Sequence, residues 1–309
     1  MASGIHHITS IASSARRNLD FYVHTLGLRL VKRTVNFDDP TTYHLYYGDG
    51  AGHPGTILTF FPWENAAPGR GGIGEVQETV FAVPEASIGY WTQRFVEKGV
   101  AHEGPTKRFG ETTVAFRDGD GTRLALAGVK GIEAKPAWSA GGVPAEHAIR
   151  GFRSASLLLA EAGATADILI DVFGFVAGET EGSTRRYRAK GVDLGGAIDL
   201  RTAGEFLGAR QGAGSVHHIA FRAADDAAQR AMVEKLVKHH RLRTTEQKDR
   251  KYFRSVYFRE PGRVLFEIAT EPPGFAVDEP ADSLGRSLQL PPFLEGSRAH
   301  IEAALPKLD

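Results

Sequence analysis

The chain has 309 residues, and its 37 Lys and Arg balance its 37 Asp and Glu. With no basic stripe, no acidic tail and no cysteine, a nucleic-acid partner is not expected, and a disulfide framework, a thiolate metal site and a cysteine nucleophile are excluded. No apolar run has membrane-helix length and no signal-peptide pattern follows Met1, so the expectation is a soluble cytoplasmic protein with no membrane contact.

Along the chain, one pattern of elements recurs. It starts at His7, where Ile8, Ser10 and Ala12 alternate as a strand; a helix over Arg16–Leu26 follows, with Gly27 as its stop. Strands are expected over Leu28–Asn36, Thr42–Tyr47 and Thr56–Pro62. A second start lies at Glu78–Val83, with a helix over Ala86–Lys98 and strands over Thr112–Arg117 and Arg123–Ala127. A third begins at Phe152–Leu159, with a helix over Ala164–Phe173 and strands over Thr184–Ala189 and Ala197–Arg201. The fourth begins at His217, with a helix over Ala224–His239 and strands over Arg254–Arg259 and Arg263–Thr270.

Strand, helix and antiparallel meander, four times over, is an α+β plan. The expected organisation is an N-terminal module pair over 1–130 (modules 4–76 and 77–130), a Gly-, Pro- and Ala-rich linker over 131–150, and a C-terminal pair over 151–272 (modules 151–212 and 213–272). Residues 273–309 form a tail packing on the domains. Gly69-Arg70-Gly71-Gly72-Ile73-Gly74 matches a dinucleotide-binding pattern, but Glu75–Val83 after it reads as strand, so a loop is expected there.

The chemistry is concentrated in two histidine pairs. Ile5-His6-His7-Ile8-Thr9 and Val216-His217-His218-Ile219-Ala220 open the first and fourth modules. Strand alternation selects His7 and His218 as facing one side, and turns His6 and His217 away. Glu267 lies inside the apolar run Val264–Ala269, where a carboxylate is costly without a partner. Two histidines and one carboxylate with an open position suit non-haem Fe(II) acting on O2. Thr59 occupies the fourth corner without offering a strong ligand, and Thr79, Ala125, Ser154 and Asp199 are the counterparts in the other modules, so one metal site is expected.

At these residues the sequence resembles the vicinal oxygen chelate superfamily, and within it the ring-cleaving dioxygenases of hydroquinones. The resemblance rests on the two histidine segments, on Leu26–Pro40, on Leu265–Thr270 and on the tail Leu290–Glu295. It implies βαβββ modules arranged as two paired-module domains with cup-shaped mixed sheets. It implies Fe(II), or Mn(II), on His7, His218 and Glu267, with Tyr257, His217 and Arg250 as catalytic groups and His6 and Thr9 at the substrate. It also implies an aromatic substrate with O2, and a homo-oligomer. The role of Tyr257 depends on a turn: a three-residue loop at Pro261-Gly262-Arg263 sets Tyr257 opposite Glu267, whereas a two-residue turn puts it on the other face.

Overall fold

The computed structural model describes residues 3–308; residues 1, 2 and 309, the outer ends of the expected N-terminal pair and of the tail, lie outside it. Four βαβββ units follow one another. The first comprises β1 (Ile5–Ala12), α1 (Ala15–Leu19), β2 (Arg29–Asn36), β3 (Asp39–Gly48) and β4 (Ile57–Pro62). The second comprises β5 (Glu75–Pro84), α2 (Ile88–Glu97), β6 (Thr106–Arg108), β7 (Glu111–Arg117) and β8 (Arg123–Val129). The third comprises β9 (Gly151–Leu159), α3 (Gly163–Asp171), β10 (Phe175–Glu181), β11 (Thr184–Ala189) and β12 (Ala197–Thr202). The fourth comprises β13 (Val216–Ala223), α4 (Asp226–Lys238), β14 (Lys248–Asp249), β15 (Arg254–Arg259) and β16 (Leu265–Thr270).

These strands form two eight-stranded mixed sheets, ordered β14-β15-β16-β13-β1-β4-β3-β2 and β10-β11-β12-β9-β5-β8-β7-β6. Module one therefore pairs with module four, and module two with module three. The chain-order halves 1–130 and 151–272 do not coincide with the sheets, because each half contributes one module to each. The chain passes between sheets twice, and the two crossovers run side by side: Gly69 and Ile73 donate backbone N–H groups to Ala213 and Leu207. The Gly-rich run is explained by that contact, since a Cβ on Gly72 would lie 2.2 Å from the Leu207 carbonyl oxygen.

Three strands escaped the sequence pattern: β6, β10 and β14. All three are sheet edges with mostly exposed side chains, so no buried face imposes alternation on them. The helix expected over Arg16–Leu26 is a five-residue α1 continued by π-helical turns over Asp20–Thr25. One apolar core spans both sheets and all four of these helices. It joins Ile8, Ile219 and Phe266 to Trp91 and Phe95 of α2, to Ile168 of α3 and to Leu236 of α4. Each such buried side chain contributes about 1.5–3 kcal/mol. The opposite face of the first sheet is also buried, but polar: His7, Thr9, Thr59, His218 and Glu267 are all at most 4% exposed.

Candidate metal centre

The centre is built on the β1–β13 pair. Ile5 pairs with Phe221 and His7 with Ala220, so His6 is an extra residue on β1; Thr9 pairs with His218 and Ser10 with Val216, so His217 is an extra residue on β13. A one-residue bulge re-aims a side chain that alternation would send to the far face. Each histidine pair thus turns both rings inward, and the first ring of each reaches the second. His6 Nδ1 lies 2.9 Å from His7 Nδ1, and His217 Nδ1 lies 2.8 Å from His218 Nδ1. β16 lies beside β13 with Glu267 level with Ala220, which carries the carboxylate to the same face.

His7, His218 and Glu267 bring one ligand atom each into a cluster within 4.8 Å. Glu267 Oε2 is 2.9 Å from His218 Nε2 and 3.3 Å from His7 Nε2, and the two Nε2 atoms are 3.4 Å apart. Ser255 donates to Glu267 Oε1 at 2.5 Å, while the buried Oε2 has no hydrogen-bond partner among the described residues. When His7 and His218 donate Nδ1–H to the neighbouring imidazoles, three lone pairs converge on one point. Such an arrangement is costly unless a cation sits there. The residues fit a divalent metal.

Burial favours the neutral ring at His6, His217 and His218. Burial holds His218 below the usual imidazole value and His6 well below it, and brings His217 down to about 3. Burial raises the Glu267 carboxyl, but the facing His7 and His218 rings overcome this and hold it well below the ordinary range.

Around the cluster, the β15–β16 hairpin closes through Glu260 and Val264, leaving a three-residue loop with Arg263 in the left-handed region at φ 76°. Tyr257 consequently pairs with Glu267. Its ring sits edge-on to His218 at 5.6 Å, and the Arg250 guanidinium lies 5.6 Å from its centroid. Burial and the Glu267 charge raise the Tyr257 phenol, so it stays protonated. Arg250 Nη2 also donates to Asp38 at 2.9 Å. A cavity of about 40 Å³ lies over the ligands, lined by His7, His218, Tyr257 and Arg250.

Two placements differ from the sequence reading in detail. His6, Thr9 and His217 do not line that cavity: His6 and His217 sit behind the ligand rings, and Thr9 bonds Thr59 Oγ1 at 3.0 Å. The fourth corner also involves residues from outside the expected set. His44 Nε2 lies 2.7 Å from Thr59 Oγ1, and His44 Nδ1 lies 2.9 Å from the Tyr46 hydroxyl. His44, Tyr46 and Asp38 line the cavity and were missed. The available signal was the alternation of His44 and Tyr46, which shares a face with Thr59 once the Tyr46–Thr59 pairing is known.

Residues 4–126 match the Glyoxalase/Bleomycin resistance protein/Dioxygenase superfamily. MhqO of Bacillus subtilis (strain 168), named as a ring-cleaving dioxygenase, is 45% identical over 98% of this chain and 95% of its own. The chlorohydroquinone/hydroquinone 1,2-dioxygenase of Sphingobium indicum is 33% identical over 95% of this chain and 92% of its own. Among solved structures, a Bacillus subtilis protein described as a dioxygenase superposes with a TM-score of 0.94 at 43% identity, covering 100% of this chain and 98% of that one. Glyoxalase I from Zea mays shares the fold alone, with a TM-score of 0.64 at 12% identity over 87% of this chain and 93% of that one. With full-length identity of this order and a paired-module fold, the chain belongs to the Glyoxalase/Bleomycin resistance protein/Dioxygenase superfamily, among its ring-cleaving dioxygenases.

Proposed function

We propose that the protein opens the ring of hydroquinone-type aromatic diols with O2, using Fe(II), or Mn(II), held by His7, His218 and Glu267. The observation that carries this reading is the convergence of three buried ligand atoms beside a fourth corner, Thr59, whose hydroxyl is engaged by Thr9 and His44. A closed ligand set leaves no room for substrate, whereas an open one does. When bound, the metal supplies the electron transfer between ring and oxygen that side chains cannot.

The protein's own groups then have distinct roles. Tyr257, kept protonated by burial, donates to a substrate hydroxyl and exchanges a proton with it. Arg250, held charged, stabilises negative charge developing on the substrate. His6 and His217 set the tautomer of the ligand rings through Nδ1, leaving each Nε2 lone pair directed inward. Thr9 holds Thr59, and with it the shape of the open corner.

The test is oxygen consumption by protein purified without O2 and loaded with Fe(II) or Mn(II), with hydroquinone, methylhydroquinone and catechol in parallel. Uptake accompanied by a ring-opened product is expected. Iron-loaded protein that consumes no oxygen with any diol would overturn the reading.

A further inference from the structure

The cavity over the metal ligands has a second polar end, carried by the β2–β3 hairpin. β2 and β3 meet through Asn36 and Asp39, so Phe37 and Asp38 form its tip. The tip is fixed by its own side chains. Asn36 Oδ1 accepts the Asp38 backbone N–H at 3.0 Å, and the Asp39 carboxylate accepts from Thr41, Thr42 and the Trp63 indole. Asn36, Phe37 and Asp38 line the same cavity as His7 and His218.

Depth separates the two ends. The His7 and Glu267 side chains are 2% and 0% exposed, whereas the Asp38 side chain is 64% exposed and meets Arg250 at 2.9 Å. The rings of Phe37, Phe61 and Phe253 belong to the walls. A catechol presents both hydroxyls at one end of its ring. A hydroquinone presents one at each end.

We infer that Asp38, together with Asn36 and Arg250, receives the second hydroxyl of a 1,4-diol, and that this hairpin tip selects hydroquinones over catechols. The inference rests on the dioxygenase reading and deepens it. The distal phenolic O–H donates to the Asp38 carboxylate, and its oxygen accepts from the Arg250 guanidinium. To admit it, the Asp38–Arg250 pair separates. The pocket has to open for a ring to enter, since the cavity measures about 40 Å³ and an apolar cavity that takes up benzene measures about 150 Å³.

The experiment compares wild type, Asp38→Ala and Asn36→Leu, loaded with Fe(II) without oxygen. Binding of hydroquinone, catechol and 4-methoxyphenol is measured by calorimetry, and oxygen uptake is measured separately. 4-Methoxyphenol keeps the ring and the first hydroxyl but lacks the distal donor. Wild type is expected to bind hydroquinone about tenfold more tightly than 4-methoxyphenol. Asp38→Ala is expected to erase that difference while holding catechol affinity within twofold, which also shows that the variant is folded. Equal binding of hydroquinone and 4-methoxyphenol by wild type, or a preference intact in both variants, overturns the inference. Absence of oxygen uptake with the binding preference intact overturns the dioxygenase reading and leaves the 1,4-selectivity standing.

Discussion

The two sheets share a backbone plan and differ in what neutralises their centres. In each, the two first strands pair antiparallel with two one-residue bulges, at His6 and His217 in one sheet and at Gln77 and Arg153 in the other. Register places Ser154 where the first sheet has His218, Asp199 where it has Glu267, Arg186 where it has Tyr257, and Ala125 where it has Thr59. The counterpart of His7 is Glu78, which faces Ser156 as His7 faces Ala220; Thr79, expected in that position, is one residue out of phase. In the second sheet each carboxylate has its own cation. Arg186 grips Asp199 with two hydrogen bonds of 2.7 Å, and Arg108 meets Glu78 at 2.5 Å. In the first sheet Glu267 faces two imidazoles that offer lone pairs. The fold alone does not set the character of either centre; the identity of the residues facing the carboxylate does.

The sharpest way to break this comparison is to remove the first sheet's carboxylate. Glu267→Ala, or His218→Ala, is expected to lose both bound iron and all oxygen uptake, while Asp199→Ala in the second sheet retains both. Iron content after gel filtration, measured beside oxygen uptake, checks this; iron retained by Glu267→Ala would sink the ligand assignment. Next in size is Tyr257→Phe, which keeps the ring but removes the donor. A fall in kcat of roughly 10²-fold is expected with iron content unchanged. The corresponding change in the second sheet acts on stability alone. Arg186→Met leaves Asp199 buried without its cation, a loss of about 3–5 kcal/mol, and adding Asp199→Leu restores much of it. Thermal midpoints of the single and double variants decide this, with iron content constant in both.

Legibility in the sequence followed burial. Glu267 stands out because Val264–Ala269 is otherwise apolar, and the central strands read clearly because at least one face of each is packed. The pairing of module one with module four was legible only through the candidate ligands His7, His218 and Glu267, because periodicity within β1 carries no information about whether β5 or β13 lies beside it. The bulges were not legible either, since an inserted residue changes phase without changing composition. That is why alternation turned His6 and His217 outward, and why the counterpart of His7 in the second module was placed at Thr79, one residue from Glu78. Asp38 and His44 were missed for a related reason: each joins the site only through a hairpin or a strand pairing between distant segments, Asp38 to Arg250 and His44 to Thr59.

The smallest expected effect concerns acid, and it again separates the sheets. The inner face of the first sheet holds four imidazoles that burial keeps below their ordinary value: His6, His44, His217 and His218. In the unfolded chain each titrates near ~6.5. As pH falls below that value the unfolded chain takes up protons that the folded one refuses, so stability declines with falling pH. For His217 the decline continues down to about 3. Glu267, held low, adds a further loss that begins only below the unfolded carboxylate value of ~4.3. The second sheet's central positions, Glu78, Ala125, Ser154, Asp199 and Arg186, include no imidazole. Thermal midpoints of metal-free protein between pH 7.5 and 5 should therefore fall with acid. His217→Phe should flatten part of that slope, because it removes one of the four groups without removing a ligand. Arg153→Gln, at the equivalent bulge of the second sheet, should leave the slope unchanged. A slope insensitive to His217→Phe would mean that acid acts elsewhere in the fold, and the two centres would then differ in metal chemistry alone.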